Sequence, residues 1–424
     1  MAEQQGFEQY GLDDKIVQAL QLLGMTQPTA VQQQVIPQVL AGRDVTAQAQ
    51  TGSGKTAAYA VPLCHLVDWD ENKPQVMILT PTRELAMQVQ QEILSIGKLK
   101  RIKAPALYGK HSFRQQEQDL KQKSHMVVGT PGRILDHLER GTLFTGYIGY
   151  LVIDEADEML HMGFLEQVEQ IISYLPEDRV TLLFSATMPK EVQRLAEQYQ
   201  KDPLQIQIEP ISSRKIGHSY YDCTERDRLE LLLELLKVYN PDSCIIFANM
   251  RVQVEEIYDA LWDDGFSCAR LHGGMEQWER TEVMRDFKKG RFRYLVATDV
   301  AARGIDVENI SLVVNYELPP EQETYIHRIG RTGRAGQCGT AISLLESWEH
   351  SELQRIEALL QQPIAQKEAP DADTVAAAEQ AFRDKMEQEP EAKGQKTAVL
   401  HEQILKLQIA DGKKAKIRPV DIVG

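Results

Sequence analysis

The chain has 424 residues, more than one hydrophobic core usually supports, so roughly two domains and a tail are expected. With 42% hydrophobic and 26% charged residues it has the balance of a folded globular protein. A formal net charge of −15 excludes a protein that coats nucleic acid by charge alone, though a local basic groove remains open. The polar N-terminus and the lack of a long apolar run argue against a signal peptide or a membrane span, so a cytoplasmic protein is expected. Five cysteines, Cys64, Cys223, Cys244, Cys268 and Cys338, are widely spaced without a CxxC pair and point to reduced thiols.

Phe7 precedes an amphipathic stretch that ends at Gly24, and Pro28 and Thr29 then mark a helix start that puts Gln32 on its first turns. A glutamine amide can donate to N7 and accept from N6 of adenine, a pattern guanine cannot match. A strand-like run over residues 44–48 follows, then Ala49, Gln50, Thr51, Gly52, Ser53, Gly54, Lys55 and Thr56, and a helical run from Ala57. Glycines between a strand and a helix let backbone N–H groups and the helix's positive end converge on a phosphate. Lys55 would reach the β and γ phosphates and the Thr56 hydroxyl would ligate Mg²⁺. Ala49 stands where the general pattern has its first glycine, so the loop is a variant.

Apolar β-branched runs at 76–80, 126–129, 150–153 and 180–184 alternate with helical stretches, which predicts a parallel sheet covered on both faces. Their C-terminal ends carry Arg83, then Thr130, Gly132 and Arg133, then Asp154, Glu155 and Asp157, then Ser185 and Thr187. Ligands bind at that edge of such a sheet, so these clusters should line one face. Asp154, directly after an apolar strand, is placed to hold the Mg²⁺ that Thr56 also touches. Glu155 is placed to orient or deprotonate an attacking water.

The polar stretch 205–213 is expected to be a linker. Strand and helix alternation then resumes at 243–247, 269–271, 294–297, 312–315 and 340–344, a second α/β domain without a phosphate loop. Its polar strand ends include Asn249 and Arg251, His272 to Gly274, and Thr298 to Asp306. Arg328, Arg331 and Arg334 recur every third residue, which on one helix would form a row suited to a γ-phosphate offered by another domain.

Beyond Gln361 the composition becomes alanine- and charge-rich. One helix is expected over 371–387 with its cap at Asp373, and a second over 396–409. The chain ends on a basic, strand-like stretch, 413–424.

Taken together, this ordered set resembles the DEAD-box family of ATP-dependent RNA helicases over roughly residues 7–345. The resemblance implies an α/β protein with two RecA-like domains, each a mostly parallel sheet with helices on both faces, followed by a helical C-terminal extension. The expected boundaries are an ATP-binding domain at 1–208, a linker at 209–216, a second helicase domain at 217–365 and an extension at 366–412. It further implies ATP and Mg²⁺ as cofactors, held between the domains, and single-stranded RNA crossing both.

By that resemblance Phe7 and Gln32 look like adenine readers, and Gly52, Ser53, Gly54, Lys55 and Thr56 hold phosphates and metal. Asp154 and Glu155 look like the metal and water residues, with Gly304 and Asp306 as nucleotide contacts and Arg331 and Arg334 as arginine fingers. Asp157, Ser185, Thr187 and His327 would couple hydrolysis to domain closure. RNA contacts would come from Arg83, Thr130, Gly132, Arg133, Gly273, Gly274 and Thr298.

Three positions depart from the family pattern: Lys110 after Gly109 where a second glycine is usual, Met250 for a threonine, and Glu317 for an aspartate. The segment 413–424 resembles the opening of the small RRM-like RNA-binding domain of the bacterial DbpA-type subfamily, which implies that the remainder lies past Gly424. That subfamily acts on large-subunit ribosomal RNA, so the expected function is an RNA-stimulated ATPase that locally unwinds short duplexes during ribosome biogenesis, as a monomer. An ATP-gated RNA clamp without obligatory unwinding is the alternative; a small-molecule kinase or GTPase would leave the second domain's polar set without a purpose.

Overall fold

The computed structural model describes residues 6–49, 52–208, 216–302, 310–333 and 339–387. The chain divides into two compact units, each built on its own seven-stranded sheet. In the first, β1 (Val45–Gln48), β2 (Val76–Leu79), β3 (Ala106–Leu107), β4 (Met126–Gly129), β5 (Tyr150–Ile153), β6 (Val180–Ser185) and β7 (Leu204–Gln207) lie in the order β3-β4-β2-β5-β6-β1-β7. Every neighbouring pair is parallel.

Alternate residues of these strands enter opposite cores. Val76 and Ile78 belong to one apolar cluster, Met77 and Leu79 to another. Because both faces are buried, the strands are continuously apolar instead of alternating. The edge strands escape that rule. β3 has two residues, and only Ile206 of β7 is buried, so neither carries an apolar run. Residues 204–207, whose greater part was expected to open the linker, instead pair with β1. The expected linker at 209–216 falls outside the described residues apart from Ile216, which begins the second sheet.

The second sheet contains β8 (Ile216–Asp222), β9 (Cys244–Phe247), β10 (Cys268–Leu271), β11 (Tyr294–Ala297), β12 (Leu312–Asn315), β13 (Gly339–Leu345) and β14 (Ala365–Lys367), in the order β10-β11-β9-β12-β13-β8-β14. The strands from β10 to β13 run parallel, and β14 runs parallel to β8. The sheet thus continues across the expected boundary at residue 365. Cys64, Cys223, Cys244 and Cys268 are free and buried, and burial pushes the Cys64 and Cys268 thiols up to about 12.

The expected C-terminal helix forms as Ala372–Glu387, but its cap is Asp371, not Asp373: Asp371 Oδ1 accepts from the Thr374 N–H at 2.8 Å. Asp371 satisfies an orphan N–H of the first turn, whereas Asp373 lies within it. The helix packs on the helix Arg228–Tyr239, with the Phe382 ring 4.6 Å from Phe266. Lys385 adds an ion pair to Asp242 at 2.7 Å. The helix expected at 396–409 and the basic strand at 413–424 lie outside the described residues.

Phe382→Ala should remove about 3 kcal/mol of apolar anchoring. Hydrogen exchange should then accelerate across the helix 372–387 while β9 keeps its protection; unchanged protection of the helix would show that it is held by other contacts.

Candidate active site

The phosphate loop leaves β1 beside β6. Gln48 is in register with Ser185, and the Ala49 N–H donates to the Ser185 carbonyl at 2.9 Å. Gly52 and Gly54 have φ of 80° and 89°, and the helix Lys55–Leu66 starts at once. A left-handed backbone favours glycine, and at Gly54 a Cβ would also lie 2.6 Å from Gln32 Nε2, so that the amide would have to shift. Gln50 and Thr51 are outside the described residues.

Gln32 has more than one task. It is buried, its Oε1 accepts from the Thr29 N–H at 2.9 Å, and its Nε2 donates to the Gly54 carbonyl at 3.2 Å. Thr29 Oγ1 donates to the Ser53 carbonyl at 2.9 Å. The helix start at Ala30 therefore braces the phosphate loop, a role for Thr29 that the sequence did not suggest. A glutamine amide has two N–H groups and two carbonyl lone pairs, so these two bonds do not exhaust what the expected adenine contact needs. Phe7 is buried in the first unit's core, its ring edge-on to Tyr10. Lys55 is also buried, its Nζ donating to the Ala49 carbonyl at 2.9 Å.

Asp154 follows β5, held by its own N–H to the Leu79 carbonyl at 3.0 Å. Its Oδ1 accepts from the Glu155 N–H at 3.0 Å and its Oδ2 from the Tyr59 hydroxyl at 2.8 Å. Burial pushes the Asp154 carboxyl above the usual range, with Lys55 and the Tyr59 hydrogen bond pulling the other way. Glu155 sits at φ 54°, a conformation costly for a residue with a side chain and concentrated at working sites. Asp157 gathers the end of β6: its N–H donates to Ser185 Oγ at 3.1 Å, and its Oδ2 accepts from the N–H groups of Ala186 and Thr187 and from the Thr187 hydroxyl at 3.0 Å. His327 lies on the helix Gln322–Ile329.

The donor set suits magnesium nucleotide. One hydroxyl, Thr56, and one carboxylate, Asp154, would offer hard oxygen donors, with substrate phosphates and water needed to complete a shell. Among the described residues, no three His, Cys, Asp or Glu side chains gather to cage a metal on their own.

The residues expected to meet RNA are held by neighbouring backbone. Arg83 starts the helix Arg83–Ile96 and donates to the Gly109 carbonyl at 2.9 Å. Arg133, in the helix Pro131–Glu139, donates to the His111 carbonyl at 3.1 Å and to Gln116 Oε1 at 2.8 Å. Thr130 is that helix's N-cap residue, and Gly132 lies in its first turn. Both arginines reach the segment after Gly109, where Lys110 keeps a φ of 55° although it is not glycine. His137 continues the chain, with Nε2 3.3 Å from Gln116 Oε1 and its ring stacked on Phe113.

In the second unit Gly273 and Gly274 follow β10, and a Cβ on Gly274 would lie 2.4 Å from Arg251 Nη1. Thr298 follows β11 and accepts from Ala302 N–H through its carbonyl at 2.9 Å. The expected row of three arginines does not form on one helix, because the helix ends at Ile329. Arg328 is 1% exposed and turned inward: it chelates Asp299 at 2.6 and 2.7 Å and donates to Asn249 Oδ1 at 2.7 Å and to the Glu317 carbonyl at 2.6 Å. Glu317 in turn accepts from the Asn249 N–H and from Gln253, so this departure is built into the same network. Arg331 follows the helix and is buried; Arg334, Gly304 and Asp306 lie outside the described residues.

Two domains of this kind, with a phosphate loop, an acidic strand end and a serine–threonine turn held by Asp157, are those of a RecA-like nucleotide-dependent enzyme. The family described as DEAD/DEAH box helicase matches residues 29–195, and the helicase conserved C-terminal domain matches residues 227–336. The chain is 52% identical over 420 residues to the ATP-dependent RNA helicase DbpA of Bacillus subtilis, covering 99% of this chain and 88% of that one. It is 39% identical to the DEAD-box ATP-dependent RNA helicase CshA of Geobacillus kaustophilus, covering 87% and 79%. The solved structure of S. cerevisiae Dbp5 bound to RNA and ADP BeF3 matches with a TM-score of 0.80 at 30% identity, covering 89% of this chain and 99% of that one. The chain belongs to the DEAD-box family of ATP-dependent RNA helicases.

Burial holds the His137 pKa down to about 4, below its ordinary value of 6.5. The unfolded chain takes up that proton near its ordinary value and the folded one only near 4, so this contribution to stability is full above pH 6.5 and is lost as pH falls toward 4. Thermal unfolding from pH 7 to pH 4.5 should show a decline that His137→Gln reduces; an identical decline in the variant would place the sensitivity elsewhere.

Proposed function

We propose that this helicase uses ATP and Mg²⁺ to separate short RNA duplexes locally, with ribosomal RNA of the large subunit as its substrate, as a monomer in the cytoplasm. The observation that carries the reading is the junction of β1, β5 and β6, where the phosphate loop, Asp154 and the Asp157–Thr187 contact meet at one sheet edge. Similarity to DbpA over nearly the whole chain supports the ribosomal substrate, and the solved structure of Dbp5 bound to RNA and ADP BeF3 supports the use of RNA and ATP.

In this mechanism Lys55 gives up the Ala49 carbonyl for the phosphates, and the N–H groups around Gly52, Ser53 and Gly54 receive them. Gln32 and Phe7 receive the adenine. Thr56 and Asp154 would hold Mg²⁺, which neutralises charge on the phosphates when bound. Glu155 takes the proton of the attacking water, and Arg331 and Arg334 stabilise the charge that develops on the phosphoryl group. By the same family resemblance Gly304 and Asp306 would be further nucleotide contacts. Asp157, Ser185, Thr187 and His327 pass the state of the nucleotide to the RNA residues Arg83, Thr130, Gly132, Arg133, Gly273, Gly274 and Thr298. Backbone amides and a few fixed arginines grip phosphates without a basic protein around them, which reconciles RNA binding with a net charge of −15.

ATP turnover measured with ribosomal RNA, with homopolymer RNA and without RNA tests this directly. Stimulation that is strongest with ribosomal RNA is expected, and equal stimulation by both RNAs would remove the ribosomal assignment. Glu155→Gln should bind ATP normally and lose roughly 10² to 10⁴ in turnover; near-normal turnover would remove the assigned base.

A further inference from the structure

Tyr59 stands out among the core residues because packing does not account for its hydroxyl. The side chain is fully buried on the helix that begins at Lys55, its ring 5.2 Å from Phe184. A phenylalanine would fill the same space. The hydroxyl instead donates to Asp154 Oδ2 at 2.8 Å, across 95 residues of sequence.

Tyr59 is also three residues after Thr56 on that helix, so the two side chains share a face. A buried hydroxyl on the helix that carries Thr56 thus contacts Asp154, the other side chain read as holding the metal. A carboxylate offers about four acceptor sites. In Asp154 one on each oxygen is taken, by the Glu155 N–H and by Tyr59, so the group cannot rotate without breaking a bond in a dry environment.

We propose that Tyr59 is a positioning residue for the magnesium site: its hydroxyl locks the Asp154 carboxylate in one orientation, so that a bound Mg²⁺ would meet a fixed acceptor. Outer partners of metal ligands are commonly worth 10- to 100-fold in metal affinity. The inference rests on the reading of Asp154 and Thr56 as the metal-holding pair, and its test separates the two.

Mn²⁺ is titrated by electron paramagnetic resonance against wild type, Tyr59→Phe and Asp154→Asn, each saturated with ADP. ADP affinity in EDTA and the melting temperature are measured on the same samples. Tyr59→Phe keeps the ring and its packing, so it should melt near wild type and bind metal-free ADP equally well. Its Mn²⁺ affinity should fall about tenfold, and that of Asp154→Asn further. Wild-type Mn²⁺ affinity in Tyr59→Phe beside a loss in Asp154→Asn would overturn the role of Tyr59 alone. A parallel loss of metal-free ADP affinity in Tyr59→Phe would show a merely structural role and also overturn it. Wild-type Mn²⁺ affinity in Asp154→Asn would overturn the reading of the metal site itself, and this proposal with it.

Discussion

Parallel pairing of β1 with β6 and of β6 with β5 is the constraint on which the candidate site depends. Parallel strands end on the same side of a sheet, so the chain leaves β1 as the phosphate loop, β5 as the acidic turn and β6 as the serine–threonine turn at one edge. The bond from the Ala49 N–H to the Ser185 carbonyl fixes two of these exits against each other. Asp157 then ties the acidic turn to the β6 turn through three donors from Ala186 and Thr187. A register slip of one residue in β6 would exchange the faces of its side chains and move Ser185 away from Asp157.

Much of this was legible in the sequence because the central strands are buried on both faces. A strand between two cores must be continuously apolar, so β4 and β5 could be placed at their boundaries from hydrophobicity alone, and the polar clusters after them marked the ligand edge. The edges were not legible. β7 exposes Gln205 and Gln207 and β14 is exposed throughout, so both have the composition of linkers. Capping residues were ambiguous at single-residue resolution, as Asp371 and Asp373 illustrate.

Functional side chains divided along the same line. Residues that act through local geometry, such as Gly54 and Lys55, carried their own signal. Tyr59, Thr29 and Arg328 did not, because their partners are Asp154, the Ser53 carbonyl and Asp299, all distant in sequence. Arg328 also shows how periodicity misleads: a spacing of three puts arginines on one side of a helix only while the helix lasts. Here it ends one residue later, and the first arginine is drawn inward by a carboxylate. The anchoring of Arg83 and Arg133 to backbone carbonyls near Gly109 suits binding, since side chains already ordered lose little entropy on meeting a phosphate.

Lys55 is held on the Ala49 carbonyl, while Gln32 and Thr29 brace the carbonyls of Gly54 and Ser53. Freeing Lys55 exchanges its buried bond to the Ala49 carbonyl for bonds to a ligand, which is favourable only when that ligand brings concentrated negative charge. Affinity should therefore reside in the phosphates beyond the first and not in the nucleoside. The direct measurement is the dissociation constant of ADP against that of AMP, by calorimetry in the presence of Mg²⁺. ADP binding at least a hundredfold tighter than AMP is the result this account predicts; equal affinities would contradict it.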